Sequence, residues 1–186
     1  MLLNRSVLRC LASAALIVVL VGSSSQAIYL SGKAWLAQRL LYAAWRESET
    51  INTPRRPWPW ADIHPVGLLQ IPALGIEQVV LNDHSGESLA FGPGMAEANG
   101  TIMLAGHRDS HFAFLQELAV GDHINFQRSG EPTRVFRVNS TQVLDTRRQE
   151  QIIATDEVLL LVTCFPFDAL TAGGPLRYVV VATKIP

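Results

Sequence analysis

An all-β domain, a closed or nearly closed barrel, is the fold class this sequence predicts, and three observations predict it. Beyond residue 63 the chain breaks into short apolar runs rich in Val, Ile, Leu, Phe and Thr, the residues that fit a pleated, half-buried surface. Turn residues punctuate those runs, at Gly75, Gly100, Gly121 with Asp122, and Ser129-Gly130. Only Ser85–Ala90 and Phe112–Leu118 read as helical, and both are short. Seven or more strands within about 120 residues favour closure, the arrangement that removes exposed edges.

The elements follow in chain order. From Cys10 to Gly32 there are 23 residues without a charge, bounded by Arg9 and Lys33, around the apolar core Leu11-Ala-Ser-Ala-Ala-Leu-Ile-Val-Val-Leu-Val21. As a helix this run covers ~34 Å, enough to cross a bilayer. Gly22-Ser-Ser-Ser-Gln26 is polar and weakens its second half, so a cleaved signal peptide is the competing reading. Arg5 and Arg9 would form its charged start, and Ser25-Gln26-Ala27 resembles a small-x-small cleavage site. Both readings export the rest of the chain. Arg5 and Arg9 on one side face Lys33, Arg39 and Arg46 on the other, so positive charge does not settle orientation. The preferred reading is an uncleaved single-pass anchor in the cell membrane, N-terminus in the cytoplasm, with the remainder on the extracytoplasmic side.

Residues 33–49 contain Ala, Leu, Gln and Arg but no Gly or Pro, and read as a juxtamembrane helix. Trp35, Arg39, Tyr42 and Arg46 share one face, which suits the headgroup layer. Packing of this helix on the chain's own globular domain is the alternative, since apolar residues occupy its other faces. At Asn52-Thr-Pro-Arg-Arg-Pro-Trp-Pro-Trp60, three prolines in six positions forbid a helix and mark a linker over residues 51–63. It reads as a semi-rigid spacer whose tryptophans cover the next domain. The strands of domain 64–186 are then Val66–Ile71, Ile76–Leu81, Thr101–Ala105, His123–Gln127, Arg134–Val143, Glu157–Thr163 and Leu176–Lys184.

Composition narrows the function classes. The 186 residues carry a formal net charge of -1, with 48% hydrophobic and 17% charged residues. Near-neutral charge argues against a nucleic-acid surface, and the apolar content argues against disorder. Of the two cysteines, Cys10 lies in the apolar N-terminus and Cys164 near the far end, so a disulfide between them is not expected.

Cys164 closes the most apolar run of the domain, Val158-Leu-Leu-Leu-Val-Thr-Cys164, and Phe165-Pro166 follows. A thiol at a strand end beside a turn is where scaffolds display reactive groups; a buried structural cysteine is the competing reading. The segment Thr101-Ile-Met-Leu-Ala-Gly-His107-Arg-Asp-Ser-His111 repeats the layout, an apolar strand, a glycine and then a polar cluster led by histidine. A cysteine nucleophile needs an imidazole to form its thiolate and to protonate a leaving amine, and His107 is placed to supply it. His111 is its nearest rival, whereas histidines 64, 84 and 123 lack this context. Arg177, in Gly173-Gly-Pro-Leu-Arg-Tyr178, opens the last strand, 13 residues after Cys164. That spacing fits a hairpin carrying thiol and guanidinium side by side, with the fixed charge available to an oxyanion or a substrate carbonyl. A solvated strand charge is the plainer alternative for Arg177.

These residues resemble a known family. Leu161-Val-Thr-Cys164 is similar to the Leu-x-Thr-Cys core of the sortases, membrane-anchored cysteine transpeptidases, and Ala105-Gly-His-Arg-Asp109 and Leu176-Arg177 are similar to that family's histidine and arginine segments. The resemblance covers roughly residues 64–186. The Pro-Trp-Pro-Trp linker and the Gly-Gly-Pro-Leu-Arg-Tyr segment resemble most the proteobacterial sortases that accompany a dedicated target protein. One departure is Leu160, where the fuller motif usually has threonine, which bears on strand packing and groove shape.

The resemblance implies a sortase-like barrel of about eight strands with short helices. It implies that Cys164 attacks the carbonyl between Thr and Gly of an LPxTG-like sorting signal on a membrane-bound target protein, giving a thioacyl enzyme that an amine of unknown identity resolves. His107 would be the proton donor and acceptor, and Arg177 would steady the oxyanion or the substrate backbone. Thr163 and Asp109 would tune the triad, and the loop Phe165–Pro175 would move over the substrate. No metal or other cofactor is expected, because thiolate chemistry replaces metal-activated water. Two other classes stay open: an exported cysteine hydrolase, including an L,D-transpeptidase-like enzyme whose usual Ser-His-Gly-Cys arrangement is absent, and a catalytically inert membrane-tethered binding barrel.

Overall fold

The strand segments close on one another in a single ring. The structure is a computed structural model that describes residues 5–98, 100–148, 157–169, 171 and 173–185. In chain order it contains α1 (Arg5–Ile51), β1 (Pro65–Ile71), β2 (Ile76–Leu81), β3 (Gly94–Ala98), β4 (Thr101–Ala105), β5 (His123–Arg128), β6 (Arg134–Asp145), β7 (Val158–Cys164) and β8 (Leu176–Lys184). The strands form a closed barrel in the order β1-β2-β3-β4-β7-β8-β6-β5, with β5 returning to β1. Most neighbours are antiparallel; β4 runs parallel to β7, and β2 meets β3 in parallel at Leu81 and Gly94. Short 3-10 turns at Ser88–Ala90 and Ala113–Glu117 stand where the sequence predicts two short helices, and a further one, Pro72–Leu74, joins β1 to β2.

The expected strands lie within a residue or two of their observed bounds, with one addition. Strand β3, Gly94-Met-Ala-Glu-Ala98, has no β-branched or aromatic residue and so carries no strand signal of its own. Tertiary pairing makes it a strand, through a full antiparallel register with β4. Gly94 has to be glycine: a Cβ there would lie 2.2 Å from the Asp83 carbonyl oxygen.

The apolar character of β7 has a direct cause. Leu159 and Leu161 point into the barrel, among Ile102, Leu104, Phe126, Phe136 and Val180. Val158 and Leu160 bury on the opposite face, with Val179 and against Met103, Leu144 and Val181. A strand covered on both faces reads as a continuous apolar run rather than an alternating one. Leu160, the residue that departs from the family motif, therefore packs in this second cluster.

The N-terminal region is one continuous helix: residues 22–26 do not break it, and the separate helix expected over 33–49 is its later part. Among the described residues, no helix is long and apolar enough to cross a membrane. The side chain of Cys10 lies outside the described residues. The chain divides into two compact units, Met1–Arg39 and Leu40–Pro186. In the first, the Arg39 guanidinium lies over the Trp35 ring, 5.0 Å from its centroid.

In the second unit, the last turns of α1 belong to the domain. Leu41 and Trp45 are buried with Ala61, Ile63, Val79 and Leu81, and the Tyr42 hydroxyl donates to the Glu77 carbonyl at 2.8 Å. The Glu49 carboxylate accepts hydrogen bonds from Gln127, Ser129 and the Gly130 N–H, clasping the β5–β6 turn. The face expected to meet headgroups is thus divided, with Tyr42 on the barrel and Trp35 and Arg46 exposed. Of the linker tryptophans, Trp58 packs edge-on against Phe91, while Trp60 is 80% exposed.

If these last turns are part of the fold rather than an appendage, removing their largest buried ring will destabilise the barrel. Trp45→Ala is expected to cost about 3 kcal/mol in urea unfolding, within the range for a large-to-small core substitution. A loss below about 0.5 kcal/mol, the scale of a surface change, would contradict this.

Candidate active site

The parallel β4–β7 pair fixes where the polar residues emerge. Its register runs from Thr101 opposite Val158 to Ala105 opposite Val162, and the Gly106 N–H extends it by donating to the Val162 carbonyl at 3.1 Å. Two residues beyond Ala105, past the end of β4, stands His107, and two beyond Val162, at the end of β7, stands Cys164. On the other side of β7, the antiparallel register pairs Cys164 directly with Arg177 of β8. Three segments far apart in sequence thus bring His107, Cys164 and Arg177 to the same end of the barrel. The thiol of Cys164 is free and half-buried, and His107 is exposed.

The backbone carrying His107 is held from several directions. Thr163 is 2% exposed, and its hydroxyl donates to the Gly106 carbonyl at 2.7 Å. It faces inward and ties the end of β7 to the backbone that carries His107. Phe112 packs so closely beneath Gly106 that a Cβ there would come 2.7 Å from the ring. The His107 carbonyl in turn accepts from the Phe112 N–H at 2.9 Å and the Ser110 N–H at 3.4 Å, which closes a tight turn.

Arg177 is half-buried, and its Nη1 donates to the Gly174 carbonyl at 2.7 Å and the Leu176 carbonyl at 2.9 Å. These bonds fix the guanidinium to its own hairpin, on a residue whose backbone is paired with Cys164. Gly173 and Gly174 both take positive φ, 92° and 95°, which a side chain would strain. Phe165, Phe167 and Tyr178 form an aromatic cluster next to Cys164, with Phe165 stacked on Tyr178 at 6.2 Å and Phe167 edge-on to it at 5.2 Å.

Among the described residues, Asp109 makes no hydrogen bond to the side chains of His107, Cys164 or Arg177. Its carboxylate pairs with Arg108 Nε at 3.1 Å and is 72% exposed. Arg108, which nothing in its local sequence singles out, is the buried member of that pair, at 4% exposure. Its guanidinium donates to the carbonyls of Pro166, Ala169 and Thr171, in the loop that follows Cys164. An arginine in a Gly-His-Arg-Asp run reads as a solvated charge; only the path of a loop about sixty residues later buries it.

His111 is held by different contacts from His107. Its carbonyl accepts from Gln78 Nε2 of β2 at 2.6 Å. Burial pushes its imidazole pKa down, with a hydrogen bond to the Ala90 backbone opposing and the His107 charge adding to the depression. Among the described residues, no group of three His, Cys, Asp or Glu side chains is placed to hold a metal ion.

This geometry has known relatives. The Sortase domain family model matches residues 69–185. Sortase D of Bacillus subtilis (strain 168) is 30% identical over 129 residues, covering 64% of this chain and 63% of that protein, so the chain matches less than two thirds of its relative's length. Among solved structures, sortase A from Corynebacterium diphtheriae superposes with a TM-score of 0.58 at 18% identity, over 68% of this chain and 63% of that one. Sortase C1 from Streptococcus agalactiae gives 0.55 at 25% identity, over 66% and 68%. With the family model spanning more than half of its length, and a barrel that superposes on those of solved sortases, this chain belongs to the sortase family.

Proposed function

We propose that this protein is a cysteine transpeptidase that cleaves an LPxTG-like sorting signal between Thr and Gly and passes the acyl group to an amine. The observation that carries the reading is the double register of β7, which sets Cys164 opposite Arg177 and ends level with the turn that bears His107. The Cys164 thiolate attacks the scissile carbonyl, and the Thr–Gly bond breaks as His107 gives its proton to the departing amine. The carbonyl oxygen, negative in the tetrahedral intermediate, lies by the Arg177 guanidinium, whose charge needs no proton transfer to act. An incoming amine then gives its proton to His107, attacks the thioester and releases Cys164. The resemblance of the linker and the Gly-Gly-Pro-Leu-Arg-Tyr segment to the proteobacterial sortases supports a dedicated target protein.

The N-terminal helix is the second part of this reading: it holds the enzyme on the inner membrane, with the barrel on the extracytoplasmic side. Supporting it are the charge-free run from Cys10 to Gly32 and the apolar side chains that α1 exposes, including Leu16, Ile17, Ile28 and Leu30. Confinement of enzyme and target to one surface raises their effective concentration.

The catalytic reading is tested by incubating the full chain in detergent with LPxTG-like peptides and several amines, and reading products by mass spectrometry. Cleavage after Thr with amine-dependent ligation is expected. Cys164→Ala and His107→Ala should lose about a thousandfold or more in rate. Arg177→Lys, which keeps charge but not the planar fork, should lose about a hundredfold. Equal product profiles for wild type and Cys164→Ala would refute the reading, and acyl release to water alone with every amine would make the protein a hydrolase.

The membrane reading predicts a different split. A chain beginning at Leu40 keeps Leu41 and Trp45, and so keeps the fold. It should turn over a soluble peptide within about threefold of the full chain but lose at least about tenfold on a membrane-embedded target. Equal loss on both substrates would sink the role given to the helix.

A further inference from the structure

The loop between β7 and β8 leaves the barrel ladder directly after Cys164 and rejoins it at Leu176. Three of its carbonyls turn back toward a single side chain. Arg108 Nη1 donates to Pro166 at 2.9 Å, and Nη2 donates to Ala169 at 2.7 Å and Thr171 at 2.8 Å. The Asp109 carboxylate takes Nε at 3.1 Å, and the guanidinium is buried. A buried charge is costly unless its donors are met, and here the loop backbone meets them. A planar fork addresses several carbonyls in fixed directions, which a lysine ammonium at the end of a flexible stem does not.

The chain positions of these groups give the arrangement its meaning. Arg108 is the residue after His107, and its partners lie two, five and seven residues after Cys164. One side chain therefore spans the two backbone segments that carry the imidazole and the thiol, just beyond the point where the β4–β7 ladder ends. Thr163 ties the same segments on the barrel side, through the Gly106 carbonyl. Past Cys164 the tie is Arg108.

We propose that Arg108 is a positioning residue: it locks the loop after Cys164 to the turn that carries His107, and so sets the geometry of the thiol–imidazole pair. Its part in turnover rests on the transpeptidase reading above, whereas its effect on the pair is measurable without a substrate. Arg108 touches no reacting atom and acts through His107 and the loop.

The test uses the full chain with Arg108→Lys and Arg108→Met. Three quantities are measured: the rate of Cys164 alkylation by iodoacetamide across neutral pH, backbone hydrogen exchange at Phe167, Asp168, Ala169 and Thr171, and kcat and KM for a cleavable LPxTG-like peptide. Exchange at Ile102 and Leu104 of β4 serves as the internal reference for an intact barrel. For Arg108→Lys the reference stays at the wild-type level, loop exchange rises, and alkylation at neutral pH slows about tenfold with a displaced pH profile. The fall in kcat exceeds any rise in KM. Arg108→Met moves further in the same direction; if it does not fold, Arg108→Lys decides alone.

Alkylation and loop exchange in Arg108→Lys within about twofold of wild type would overturn the proposal. So would faster loop exchange with alkylation, pH profile and kcat unchanged, which would leave Arg108 a structural staple. Absence of peptide turnover by the wild-type protein would reject the transpeptidase reading, while alkylation and exchange would still decide the role of Arg108.

Discussion

The parallel pairing of β4 with β7 is the constraint on which the site depends. Parallel strands present their C-terminal ends at the same end of the sheet, so the turn after Ala105 and the turn after Cys164 emerge together. Strand β8 runs antiparallel to β7 and begins where β7 finishes, which brings Arg177 to that end as well. A one-residue slip between β4 and β7 would move every side chain of one strand to the opposite face and part the histidine from the cysteine. With β7 apolar on both faces, its hydrophobic pattern alone would tolerate that slip, whereas the Thr163 hydroxyl on the Gly106 carbonyl would be lost by it.

The polar links at the barrel end extend this order past the last ladder bond. The Thr163 hydroxyl on the Gly106 carbonyl and the Arg108 guanidinium on three loop carbonyls are both buried, where an unmet partner is costly. Close packing is found at the same place, with the Phe112 ring directly under Gly106. Rigid backbone and an exposed imidazole there are compatible, since the strands and the turn supply the precision and the side chain is left to meet a substrate.

Much of the fold was legible because the strands of this domain owe their signal to side chains they bury. Runs such as Ile76–Leu81 and Leu176–Lys184 show their bounds in their own residues. Strand β3 does not, because its Gly and Ala residues are held by what β4 offers rather than by their own preference. The pairing order was equally hidden, since nothing local in β4 specifies a partner more than fifty residues away. At the site, His107, Cys164 and Arg177 were visible as chemistry-bearing residues at strand ends. Arg108 was not: its neighbours in sequence are polar, and its burial comes entirely from a distant loop. The last turns of α1 were ambiguous for a related reason, as apolar residues on several faces fit lipid or protein equally well.

The central claim is that this register makes Cys164 the nucleophile that carries the acyl group. Intact-protein mass spectrometry of the full chain mixed with an LPxTG-like peptide, without an amine acceptor, tests it most directly. The account predicts an adduct of the fragment ending at Thr, mapped to Cys164, lost on addition of an amine and absent from Cys164→Ala. Cleavage of the peptide with no adduct on Cys164, or with the adduct on another residue, would contradict it.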